Sequence, residues 1–176
     1  MNLVLEAIKQ RLMLREKARN DFAAFVKFIR GENYFITEFH NNVIEDLNCF
    51  ITTPAARQML FAPPQHGKSE LSSRLLPAYL LGKNPKLKLA LLCYSKTVAE
   101  GFSLDIQKII SSDAYRELFP DVIIDGIGCK RGTLKRNSYE FHTGSDGYVI
   151  SVGVGGPLTS KTVDIAIIDD LYKGPI

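Results

Sequence analysis

Apolar residues follow two spacings along the chain, and segments with the two spacings alternate. Apolar positions three or four residues apart predict helices over residues 1–30 (one or two helices), 38–50, 68–81 and 97–111. Short apolar runs predict strands over 57–63, 87–95 and 163–170, and alternation within 130–156 predicts one or two antiparallel strands turning at TGSDG. Strands that alternate with helices indicate an α/β fold with a mainly parallel sheet.

The segment before the first strand is a separate part of this pattern. We expect residues 1–33 to form an N-terminal helical segment and residues 34–176 to form the main domain, with Thr37 as the N-cap of the helix from Glu38. Lysines and arginines between Lys9 and Arg19 occupy the rest of the N-terminal helix surface. They form either a solvated face or a docking surface for a partner or DNA.

The sequence QMLFAPPQHGKSELSSRLL joins the first predicted strand to a helix. Gly67, Lys68 and Ser69 match the last three positions of the phosphate-loop pattern G-x-x-x-x-G-K-[ST], but Ala62 stands where that pattern begins with glycine. The free N–H groups and positive dipole end of a helix N-terminus attract phosphate. A proline-stiffened turn without a ligand is the alternative interpretation.

Pro63 and Pro64 have no N–H group, so phosphate donors must come from Gln65, His66, Gly67, Lys68 and Ser69. Lys68 would bridge the β- and γ-phosphates, and the Ser69 hydroxyl would hold Mg²⁺. Gln65 or His66 would reach the γ-phosphate. Glu70 completes the predicted nucleotide-binding stretch.

Two carboxylates at the end of the last predicted strand supply a partner for this loop. Asp169 directly follows four apolar residues, and Asp170 comes next. A phosphate loop needs such a strand-end carboxylate for Mg²⁺, which assigns Asp169 to the metal. Asp170 would polarise the attacking water as a general base. Two solvated acids at a strand end are the alternative.

Composition sets limits on these interpretations. The chain has 176 residues, which is the size of one domain, and 45% of them are hydrophobic. Its net charge of +3 is smaller than the charge excess that marks a nucleic-acid binder. Cys49, Cys93 and Cys129 are too scattered for a zinc site. We see no signal peptide and no apolar run long enough for a membrane, and we expect a cytoplasmic protein with reduced thiols.

Three segments together resemble a known family. They are FAPPQHGKSEL, then LALLCYSKTVAEGFSLDIQKIISSDAYRELFP, then GYVISVGVGGPLTSKTVDIAIIDDLYK. The combination resembles the ATPase part of the large terminase subunit of tailed bacteriophages and prophages, over about residues 35–173. The resemblance implies a P-loop NTPase fold of the RecA/ASCE-like type, with helices on a mainly parallel sheet.

The resemblance also implies an activity and partners. Large terminases hydrolyse ATP with Mg²⁺ to drive double-stranded DNA into a procapsid, as a homo-oligomeric ring on the portal protein that works with a small terminase subunit. It assigns Lys68 and Ser69 to phosphate and Mg²⁺, Asp169 to Mg²⁺, and Asp170 to catalysis. By the same resemblance the adenine would contact residues 34–40, with Phe39 and His40 foremost. The expected location is the cytoplasm of a bacterial host.

Other features of the sequence depart from this family or leave alternatives open. Many relatives have a basic residue inside the phosphate loop, where this chain has Gln65 and His66. The expected arginine finger has three candidates, Arg74, Arg131 and Arg136, and the last two lie in a basic stretch that could instead contact DNA. The nuclease domain of the family is missing, so we expect an expressed fragment or a truncated prophage gene product.

Two other functions compete with the motor interpretation. A small-molecule kinase would share the fold, but it would normally keep the leading glycine and carry an arginine-rich lid. A truncated chain could instead be a non-catalytic module that binds nucleotide, portal or small terminase. Its open sheet edge would favour self-association.

Overall fold

The computed structural model describes residues 2–31, 34–124, 135–158 and 161–172. Its helices are α1 (Asn2–Asn20), α2 (Phe22–Arg30), α3 (Glu38–Thr52), a π-helical segment (Glu70–Leu75), α4 (Leu76–Lys83), α5 (Lys96–Ser111) and α6 (Asp113–Leu118). Its strands are β1 (Lys88–Cys93), β2 (Glu140–His142), β3 (Tyr148–Gly153) and β4 (Ile165–Asp169). This is a mixed α/β fold, as the alternating pattern predicted.

In the described residues the strands form one sheet in the order β2–β3–β1–β4. β1 pairs in parallel with both β3 and β4, whereas β2 pairs antiparallel with β3. The sheet is therefore mixed, because the predicted hairpin around TGSDG adds an antiparallel edge strand to a parallel centre. The parallel pairing brings the carboxyl ends of β1, β3 and β4 to the same edge of the sheet.

The predicted strand over Arg57–Pro63 was wrong. These residues are described but belong to no strand, and β4 has β1 as its only partner among the described strands. A strand needs a partner for its backbone N–H and C=O groups, and this segment pairs with none of the described strands. Instead, a groove lies between the segment and β4, lined from one side by Met59 and Leu60 and from the other by Ile167 and Ile168.

The last strand is buried on one face only, although its sequence is almost continuously apolar. Ile165 and Ile167 pack against the core beneath the helices, but Ala166 is exposed and Ile168 is 59% exposed on the opposite face. β4 lies at the edge of the described sheet, so continuous apolar sequence does not guarantee burial there.

The other predicted elements are confirmed with small shifts of their ends. Thr37 caps α3 through a hydrogen bond from the His40 N–H, and Ser95 caps α5 through one from Val98. The helix predicted over 68–81 is interrupted by the π-helical segment, where Leu76 N–H bonds to the Leu71 carbonyl five residues back. A π segment inside a helix is rare and often accompanies a functional site.

The main core lies between the sheet and the helices, and α2 contributes to it directly. Phe22 and Phe25 are fully buried, and their rings lie 5.4 and 5.1 Å from the ring of Tyr79 on α4. Tyr115 on α6 is fully buried as well and donates its hydroxyl to the Ala78 carbonyl at 2.8 Å. The helical segment before residue 34 therefore shares the core of the rest of the chain.

Arginines on the basic face of α1 form hydrogen bonds to α6, which neither sequence interpretation anticipated. Arg11 donates to Glu117 (Nε to Oε1, 2.9 Å), Arg15 to the Glu117 carbonyl (2.9 Å) and Arg19 to the Leu118 carbonyl (2.6 Å). Arginines spaced by four lie on one side of a helix, so they attach α1 to the last turn of α6, where free carbonyls accept them. The apolar residues that recur at helical spacing on α1, Leu5, Ile8 and Leu12, are about half exposed.

Candidate functional site

The turn before the π-helical segment has an unusual backbone. Gln65 and Gly67 both have positive φ, 63° and 77°. An added Cβ on Gly67 would lie 2.8 Å from Nε2 of His40, so glycine is required there for two independent reasons. His66 is exposed and donates from Nδ1 to the Pro64 carbonyl at 2.8 Å, which closes the turn on itself.

The N-terminus of α3 is attached to this turn through His40. The Thr37 N–H donates to His40 Nδ1 at 3.1 Å, which leaves Nε2 as the protonated nitrogen of the neutral ring, facing Gly67. Phe39 lies beside it, and its ring lies 5.9 Å from the ring of His66. Phe39 and His40, assigned to adenine by the family resemblance, are thus placed against the loop that would hold the phosphates.

Lys68 connects this loop to the end of β4. Its Nζ lies 3.1 Å from Oδ1 of Asp169 and 3.2 Å from Oδ1 of Asp170. Partial burial by itself lowers the pKa of Lys68, but hydrogen bonds and charge attraction from the two carboxylates outweigh it and raise the pKa above its ordinary value. Lys68 is therefore held as an ammonium ion between two acids that lie about a hundred residues away in sequence.

The two aspartates differ in environment. Asp169 is buried at the end of β4, opposite Cys93 of β1, and its Oδ2 accepts from the Ser73 hydroxyl at 3.2 Å. The side chain of Asp170 is 81% exposed; its backbone has a positive φ of 44°, and its carbonyl accepts from the Tyr94 N–H. One carboxylate is thus fixed in the protein, whereas the other faces solvent beside it.

Cys93 lies opposite Asp169 on the neighbouring strand, so the charge of its thiol bears on the site. Burial, with smaller contributions from the charges of Asp169 and Asp170, raises the pKa of the Cys93 thiol to about 11. The thiol is therefore neutral at physiological pH, so it adds no negative charge beside the two aspartates and is not a nucleophile.

An open cavity of about 670 Å³ runs from this cluster along the groove beside β4. Lys68 and Asp170 line one end, and Ala62, Leu60 and Ile168 line the apolar part. The volume is within the range of small-molecule sites. A polar end and an apolar wall are what a phosphate ester with a flat base requires.

Glu70 and Arg74, two other residues predicted to belong to the site, form ion pairs away from the cluster of Lys68, Asp169 and Asp170. Glu70 accepts from Arg30 (Nε to Oε1, 2.7 Å) and lies 3.8 Å from Arg74, so its carboxylate belongs to an ion-pair network. Arg74 also donates to Asp105 at 2.8 Å and lies over the ring of Phe102. Ser69 is half-buried in the first helical turn, and Gln65 is exposed.

Each of the three arginine-finger candidates either has an intramolecular partner or lies outside the described residues. Arg136 donates to Gln107 at 3.0 Å. Arg131, with Lys130 of the same basic stretch, lies outside the described residues, as does Cys129. Arg74 and Arg136 therefore have intramolecular roles in this structure.

Sequence reasoning missed Ser73, which bonds directly to Asp169. A signal was available: Ser73 lies four residues after Ser69, and residues four apart share a helix face. It was not informative alone, because the sequence ELSSRLL offers two serines and does not say which one faces the strand.

The residues present are compatible with Mg²⁺ and a nucleoside triphosphate. Among the described residues, no group of three or more His, Cys, Asp or Glu side chains could hold a metal by itself. Magnesium does not need such a cage, since it is commonly held by one or two carboxylates together with water and substrate phosphates. Asp169 and the Ser69 hydroxyl could supply the protein ligands, with Lys68 nearby for the phosphates.

The comparisons with known proteins add no assignment. Neither a protein-family model nor a curated protein matches the chain. Within the described residues, the helices are too short or too polar to cross a lipid bilayer.

Proposed function

We propose that the chain binds and hydrolyses ATP with Mg²⁺, as the P-loop ATPase motor domain of a large terminase subunit. The observation that carries the proposal is the contact of Lys68 with both Asp169 and Asp170. Two motifs about a hundred residues apart in sequence, which the sequence predicts to be two halves of one site, lie within hydrogen-bonding distance. The RecA/ASCE-like sheet, the portal and small-terminase partners, and the translocation of double-stranded DNA rest on the family resemblance.

The residues have distinct roles in this proposal. Lys68 binds the β- and γ-phosphates, and the N–H groups of Gly67 and Lys68 bind phosphate oxygens. When bound, Mg²⁺ would neutralise the charge that develops on the transferred phosphoryl group. Asp169 and the Ser69 hydroxyl would hold it. Asp170, exposed and next to Asp169, would orient and deprotonate the attacking water.

His40 and Phe39 limit where the base can lie. His40 Nε2 faces Gly67, so its N–H is placed for a polar group near the phosphate end, while Phe39 offers a ring edge beside His66. We propose that Phe39 contacts the base by its apolar surface and that His40 supports the loop. The apolar wall of the cavity offers further contact area for the nucleoside.

The test is calorimetric titration of Mg-ATP-γ-S into the wild-type chain and Lys68→Ala. We expect binding by the wild type and its loss in the variant, because the alanine removes the cation that contacts the phosphates. Lys96→Ala is the matched control, since the Lys96 side chain is exposed on α5 and forms a loose ion pair with Glu100 at 3.7 Å. A folded wild type that does not bind at millimolar nucleotide contradicts the proposal.

The open edge of β4 supports a second candidate function. Among the described strands β4 pairs only with β1, and the groove beside it has an apolar wall. An unpaired strand edge next to an apolar groove accepts a further extended segment. In this proposal the chain is a non-catalytic module that docks to portal, small terminase or another copy of itself.

A further inference from the structure

We propose that Ser73 is a positioning residue that orients the Asp169 carboxylate for the metal ion. Its hydroxyl donates to Oδ2 of Asp169 at 3.2 Å, while Oδ1 of the same carboxylate contacts Lys68 at 3.1 Å. The two oxygens therefore have different partners, and the carboxylate plane is fixed from two sides. This inference rests on the proposed function, because it concerns the same site.

Ser73 and Asp169 are both buried, so the hydrogen bond between them has a larger effect than one exposed to solvent. Ser73 is fully buried and Asp169 is 6% exposed, so water cannot easily replace the hydroxyl. A buried carboxylate oxygen that loses its donor pays the desolvation penalty of a charged acceptor. Ser73 therefore satisfies one oxygen of a buried aspartate and holds its carboxylate in one orientation.

The π-helical segment selects which serine takes this role. Ser72 turns back and donates to the Lys68 carbonyl at 3.0 Å, whereas Ser73 faces the end of β4. The two hydroxyl oxygens lie 3.3 Å apart, but each hydroxyl has a single proton and directs it to its own acceptor. Because Ser72 and Ser73 donate to different acceptors, Ser72 is a matched control for Ser73 within the same helical turn.

An orienting partner changes metal affinity more than it changes nucleotide affinity. Partners of this kind fix the direction of a ligand, and their loss typically weakens metal binding about 10–100-fold. The phosphate-loop contacts of Lys68 and Gly67 do not depend on the Ser73 hydroxyl. A positioning role therefore predicts a change in the Mg²⁺ requirement with little change in metal-free nucleotide binding.

The experiment measures binding of a fluorescent ATP-γ-S derivative to the 176-residue chain, first in EDTA and then at increasing Mg²⁺. We expect Ser73→Ala to raise the Mg²⁺ concentration at half-saturation about tenfold or more. We also expect its EDTA affinity and that of the wild type to agree. Ser73→Thr, which keeps the hydroxyl, should restore the Mg²⁺ requirement, and Ser72→Ala should leave it unchanged.

Each result decides a separate question. An unchanged Mg²⁺ half-saturation in folded Ser73→Ala overturns the positioning role and leaves the ATPase proposal intact. An equal shift in Ser72→Ala also overturns it, since a general effect on the segment would then be the cause. A wild type that binds no nucleotide overturns both proposals. If Ser73→Ala does not fold, Ser73→Cys, which keeps the volume but donates weakly, is judged by the same criterion.

Discussion

At the residue scale, single positions in the candidate phosphate loop combine an unusual backbone conformation with a close contact. Gly67 has a φ of 77°, and His40 Nε2 occupies the space where its Cβ would lie. The sequence motif marks this glycine, but the reason for it comes from α3, which is far from the motif in sequence. Gln65, with a φ of 63°, has the same backbone region without being glycine, so the loop already contains local strain.

The substitution Gly67→Ala tests this arrangement. The left-handed backbone costs a residue with a Cβ roughly 1–2 kcal/mol, and the His40 ring must move as well. If the loop relieves the strain by changing conformation, we expect nucleotide binding to weaken by about tenfold or more. Urea denaturation and Mg-ATP-γ-S titration measure the two effects.

The control is Gly101→Ala in the middle of α5. An added Cβ there meets nothing within 4 Å, and the backbone is helical. Alanine should stabilise the helix by about 0.5–1 kcal/mol and leave nucleotide binding unchanged. Equal binding by wild type and Gly67→Ala would show that the loop conformation is not needed for the ligand.

At the element scale, the short edge strand β2 is held by one buried carboxylate. Glu140 is 2% exposed and accepts from Lys135 (2.6 Å), His142 (2.7 Å) and Lys161 (2.8 Å). Lys161 lies in the segment that leads to β4, so the cluster connects the hairpin to the strand that carries the aspartates. The alternating pattern predicted the hairpin, but it did not show that an acid would be buried in it.

This cluster should make the protein sensitive to acid. Burial alone raises the pKa of Glu140, but hydrogen bonds from Lys135, Lys161 and His142 together lower it from 4.5 to about 2. Because the folded pKa is below the unfolded one, the stabilisation is complete above about pH 4.5 and is lost as the pH falls toward 2. Glu140→Gln should lose about 1.5–3 kcal/mol at neutral pH, the range for hydrogen bonds to a charged group.

The measurement is the free energy of unfolding in urea between pH 2.5 and 7. We expect wild type and Glu140→Gln to differ most at neutral pH and to converge in acid. Glu45→Gln, at an exposed position on α3, is the control and should follow the wild type throughout. A constant difference between wild type and Glu140→Gln at all pH values would rule out the charge as the source of the stability.

At the scale of the whole molecule, two of the apolar surfaces that the described structure leaves exposed differ in what they offer a partner. One is the groove and outer face of β4, with Ile168 59% exposed, and the other is the first half of α1, with Val4 66% exposed. Of the two, only β4 also offers unpaired backbone groups along a strand. We therefore expect self-association, where it occurs, to use β4.

Light scattering over a range of protein concentrations tests this expectation. Ile168→Lys places a charge on the edge strand, a change that blocks strand pairing, and should lower the apparent mass at high concentration. Val4→Lys makes the same chemical change on α1 and should have little effect. The opposite result would assign the association to α1, and a monomeric wild type at all concentrations would argue against the docking module.

The sequence by itself determined the local features of this protein. Helix spacing, apolar strand runs, the Thr37 cap and the TGSDG turn depend on neighbours within a few residues, so the elements from α3 to β4 could be predicted. The candidates Lys68, Asp169 and Asp170 could also be named, because each lies at the end of a recognisable element.

Only the tertiary structure decided what depends on distant partners. Residues 57–63 pair with no described strand, and β4, with β1 as its only partner among the described strands, is exposed on one face. The arginines of α1 bond to α6, and Ser73 rather than Ser72 reaches Asp169. Pairing, burial and the choice between adjacent serines are set by residues far apart in the chain, and a one-dimensional pattern does not contain those distances.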